Sequence, residues 1–63
     1  MHRPEPEMEP DHLYFERRAH EERKAAQTAV SKWQRESHLT LADRYEELAA
    51  AIVAHCRLLG RGL

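Results

Sequence analysis

This 63-residue chain is poor in the residues that staple small folds and in those that interrupt helices. It has one cysteine, Cys56, so an internal disulfide and a cysteine-rich zinc site are both excluded. Its glycines, Gly60 and Gly62, sit at the C-terminal end, and its prolines, Pro4, Pro6 and Pro10, all fall within the first ten residues. Between Asp11 and Leu59 there is neither, and that stretch is rich in Ala, Glu, Arg and Leu, the composition of helix. Long hydrophobic runs are also missing. The longest, Leu48 to Ala54, is far too short to span a bilayer, and the first residues are too polar for a secretory signal. The net charge of −1 gives no strong pull toward nucleic acid or a membrane surface. A lone cysteine fits a reducing compartment, and the cytoplasm is the expected location.

Residues 1–10 form an acidic, proline-punctuated arm that no helix can run through. Asp11, following Pro10, is expected to cap a first helix over about residues 12–29. No Gly or Pro marks where that helix ends. The expected break is at Val30-Ser31, because Ser31-Lys32-Trp33-Gln34 has the form of a capping box. Helix 2 then runs over about residues 32–59 and is stopped by Gly60, leaving 61–63 as a tail. A start at Thr40, or one unbroken helix, are the alternatives. The fold class is therefore all-α: an antiparallel two-helix hairpin.

Counted in sevens, helix 2 places His38, Tyr45, Ile52 and Leu59 at one core position, and Leu41, Leu48 and His55 at the other. Ala42, Ala49 and Cys56 lie beside them, and Leu39 and Val53 widen the face. Helix 1 is weaker: Phe15, Ala19, Ala26 and Val30 share a face that Glu22 interrupts. The lengths also differ. Roughly 18 residues span about 27 Å, and roughly 28 span about 42 Å. Folded about Ser31, helix 1 ends while the apolar face of helix 2 continues. Chains this short usually need oligomerisation, a metal or disulfides to be stable. The expectation is a homodimer completing a four-helix bundle, or docking on another protein, through Leu41, Tyr45, Leu48, Ile52, Val53, Cys56 and Leu59. Trp33, off this face, is either a partner anchor or a lid over Val30.

The segments Tyr14-Phe15-Glu16-Arg17-Arg18-Ala19-His20-Glu21-Glu22-Arg23 and His38-Leu39-Thr40-Leu41-Ala42-Asp43-Arg44-Tyr45-Glu46 resemble a pattern in short, uncharacterised helical proteins of alphaproteobacteria. There a Tyr-x-x-Arg-Arg-Ala-x-Glu-Glu-Arg block precedes a His-x-x-Leu-Ala-x-Arg-Tyr-Glu block. The resemblance covers about residues 13–50 and implies a helical pair with a turn near Ser31. It implies no activity. Those relatives often carry Asp-Pro at the turn, where this chain has Ser31-Lys32.

Two other classes have some support in the residues. Arg17, Arg18, Arg23 and Lys24 could contact nucleic acid in a dimeric bundle resembling the Rop-type plasmid regulators. Glu16, Glu21 and Glu22 cancel much of that field, so nucleic acid is the disfavoured partner. Glu16 and His20, four apart, could hold a metal, but residues 11–59 contain no Glu-x-x-His of the kind that di-metal bundles repeat. His38 and His55, at core positions, are read as hydrogen-bonded edges of the core rather than a titrating switch. Cys56 and His55 are adjacent and point about 100° apart, which excludes a nucleophilic pair and leaves Cys56 as a packing residue. No enzyme activity, cofactor or membrane association is expected.

Overall fold

A computed structural model describes residues 10–60. Residues 1–9 of the 1–10 acidic arm and the tail of 61–63 lie outside the described residues. Two α-helices, α1 (Asp11–Gln27) and α2 (Lys32–Leu58), pack against each other as a hairpin, and no strand occurs among the described residues.

The start of α1 corrects one expectation. Asp11 is the first helical residue, not the cap. Pro10 takes the cap position, at φ −56° and ψ 144°. Its ring fixes the φ that a cap can use, and its carbonyl accepts from the amides of Leu13 (3.0 Å) and Tyr14 (3.1 Å). Asp11 instead puts its charge on the positive end of the helix dipole.

α1 stops at Gln27, two residues before the expected Ala29. The amides of Thr28 and Ala29 turn back to the carbonyls of Ala25 and Ala26, tightening the last turn without a glycine. Ser31 then caps α2: its side chain accepts from the Gln34 amide at 3.0 Å. The Gln34 side chain reaches back to the Val30 amide at 3.3 Å, one residue beyond the usual capping-box target. With the break at residues 28–31, the Thr40 start and the single unbroken helix are set aside. α2 ends through Leu59 and Gly60, the latter at φ +69°, a conformation that glycine adopts without strain.

The seam between the helices is made of small residues. Ala19 and Ala26 of α1 and Ala42 and Ala49 of α2 are buried, with Glu22 among them. Among the described residues no large side chain is fully buried. Phe15 stacks on Tyr45 with ring centroids 5.9 Å apart, and Glu22 meets His38, so the helices run antiparallel about the turn. Continuing that register, α1 begins about two and a half turns short of the end of α2.

Candidate interaction surface

The seam holds one polar cluster. The carboxylate of Glu22, on α1, faces Nδ1 of His38, on α2, at 2.6 Å, and accepts from Arg18 at 2.8 Å. An ionised carboxylate only accepts, so Nδ1 is the donor in this contact. The hydrogen bond to His38 holds the Glu22 carboxyl below its ordinary range; desolvation opposes this and Arg18 adds to it. The Arg18 guanidinium also pairs with Glu21 and lies 5.3 Å from the Tyr45 ring centroid. Glu22, which in sequence only spoils the apolar face of α1, thus sits inside the seam with partners from both helices. Its pairing was legible in the spacing, since folding about Ser31 brings His38 toward Glu22.

On one flank of the seam, Arg23 bridges to Glu46 at 2.7 Å and to Asp43 at 3.5 Å. The contact with Glu46 raises the Arg23 pKa further. An open groove of about 680 Å³ follows this flank, lined by Glu16, His20, Arg23, Glu46, Val53 and Arg57 among others. Glu16 and His20 are therefore groove residues, and among the described residues no group of three His, Cys, Asp or Glu is placed to hold a metal.

The other flank is apolar. At about 100° per residue, Leu41, Leu48 and Leu59 fall on the side of α2 turned away from Glu46. Leu41 is 45% exposed and Leu59 54%, while Leu48 is half-buried. Trp33 is 75% exposed, and Val30 and Leu58 are almost entirely in solvent. Trp33 does not cover Val30: both stand free in the protomer, at the turn.

The remaining expected contacts are only partly available. Tyr45 is half-buried between Phe15 and Arg18, and Ile52, Val53 and Cys56 are half-buried rather than bare. His55 is exposed, because it lies beyond the point on α2 where α1 begins. Of the basic residues, Arg17 pairs with Glu21 at 2.9 Å and stands over Tyr14, while Arg18 and Arg23 are paired as described. Lys24 is exposed in the last turn of α1.

No described helix is long and apolar enough to cross a membrane. Comparison with protein-family models, curated proteins and solved structures returns no match, so the geometry alone carries the functional reading.

Proposed function

We propose that this chain is a small, non-enzymatic protein-interaction module, a hairpin that pairs with a second copy to complete a four-helix bundle. One observation carries this reading: the residues fully buried in the seam are alanines and a carboxylate, while the larger apolar side chains are at most half-buried and Leu41, Leu59 and Trp33 are exposed. Burying a methyl-sized group is worth about 0.8 kcal/mol. Ordering each residue costs about 1–2 kcal/mol of backbone entropy. The seam alanines and the half-buried side chains beside them, Phe15 and Tyr45 among them, offset part of that cost for two helices, and burying the exposed leucines adds to it. A twofold uses each of them twice.

The kinship with the short alphaproteobacterial helical proteins and a cytoplasmic setting belong to the same proposal. Nucleic-acid binding through Arg17, Arg18, Arg23 and Lys24 is less well supported, because three of the four are already engaged by carboxylates. Thermal melts at several protein concentrations test the module. Assembly raises the melting temperature with concentration. A constant melting temperature for a folded monomer contradicts self-assembly and leaves docking on another protein.

A further inference from the structure

Resting on that reading, we infer that the second copy packs with its α2 antiparallel to this α2, so that the turn end of each protomer covers the overhanging end of the other. The protomer carries exposed apolar side chains at two separate places beyond the central leucines. Val30 and Trp33 stand at the turn; Leu58 and Leu59 stand where α2 outruns α1. Trp33 and Leu59 are about 39 Å apart along the helix, so one protomer does not bring them together. A twofold with its axis across α2 does, at both ends at once.

The spacing selects the register. With the axis between Glu46 and Glu47, Leu41 lies opposite Ile52 of the second copy, Tyr45 opposite Leu48, and Trp33-Gln34 opposite Leu59. A shift by one heptad in either direction leaves one of the two exposed ends without cover. Charge agrees with this placement. Glu46 is held by Arg23 on the opposite flank, away from its own copy. The face of a hairpin about 40 Å by 10 Å for α2 and 25 Å by 10 Å for α1 offers about 650 Å² per copy, within the range of specific interfaces. An arrangement with the axis along the helices sets α2 over α1 of the second copy. Both overhangs then point the same way and Trp33 is left in water.

The lone cysteine and lone tryptophan make this testable on the native chain. Spin labels on Cys56 in the dimer are separated by about 30 Å in the antiparallel arrangement and by about 10–15 Å when the axis runs along the helices. A double electron–electron resonance distance near the longer value is expected; a dimer with the shorter value overturns the antiparallel arrangement while leaving self-assembly standing. Trp33 emission gives a second readout that needs no label. In the antiparallel dimer Leu59→Asp shifts it to the red at concentrations where the wild type is assembled. Unchanged emission in a dimeric Leu59→Asp variant contradicts the contact. A chain that remains monomeric at every concentration overturns both this inference and the self-assembly on which it rests.

Discussion

Nδ1 of His38 lies 2.6 Å from the carboxylate of Glu22 across the hairpin, sixteen residues away in sequence, and ties α2 to α1 at a carboxylate whose fellow buried residues, among those described, are all alanines. A polar clasp between small residues fixes register where alanine methyls alone would let two helices slide.

That clasp makes stability depend on acid. The Glu22 carboxyl is held below its ordinary value in the folded chain. Its contribution is therefore fully present above the unfolded-chain carboxyl range and is lost as pH falls through the lower, folded-state value. Melting temperature is expected to drop on acidification below about pH 4.5. Glu22→Gln lowers stability at neutral pH and makes the acid limb shallower, read by circular dichroism from pH 3 to 7. An equally steep acid limb in Glu22→Gln assigns the effect to other carboxylates, Glu21 first, which Arg18 and Arg17 hold low at the surface.

Ala42 has no exposed surface and stands at the middle of the seam. Leucine there pushes the helices apart and costs about 1–3 kcal/mol by overpacking. Ala42→Leu is expected to lose helical signal at lower temperature than the wild type, whereas Ala54→Leu, at an exposed position of the same helix, is expected to leave it unchanged.

Much of this architecture can be read from residues. The lack of Gly and Pro from Asp11 to Leu59, together with the Ala-, Glu-, Arg- and Leu-rich composition, points to helix, and Ser31 with Gln34 locates the turn. What is harder to read is which apolar residues meet within the chain. The heptad count of α2 gives one broad face and does not rank its alanines against its leucines for the contact with α1. Close approach of two helices requires small residues at the contact, and the sevenfold spacing of Ala19–Ala26 and Ala42–Ala49 is the signal that identifies them. Asp11 misleads because Ser, Thr, Asn and Asp are the usual caps, and here a proline has the geometry first.

Removing the cap at the turn should be measurable. Ser31 satisfies the Gln34 amide, and its loss is expected to cost about 0.5–2 kcal/mol. Ser31→Ala therefore lowers the melting temperature, while Ser31→Asp retains it. Equal stability of all three would mean that the turn is held by tertiary packing alone.

The apolar flank is expected to govern assembly. Leu41→Asp changes a side chain that is 45% exposed in the protomer, so little packing within the hairpin is lost and the effect falls on the dimer. Losing about 1.5–3 kcal/mol at each of two symmetry-related sites weakens the dimer by at least about a hundredfold. Size-exclusion chromatography at matched concentration reads this directly; a variant that elutes as the wild type does would place the contact elsewhere.

Self-association rests most directly on mass. Sedimentation equilibrium of the native chain over a hundredfold range of concentration is expected to pass from the 7.4 kDa of one chain toward twice that value. A helical species that stays at 7.4 kDa across the range contradicts it.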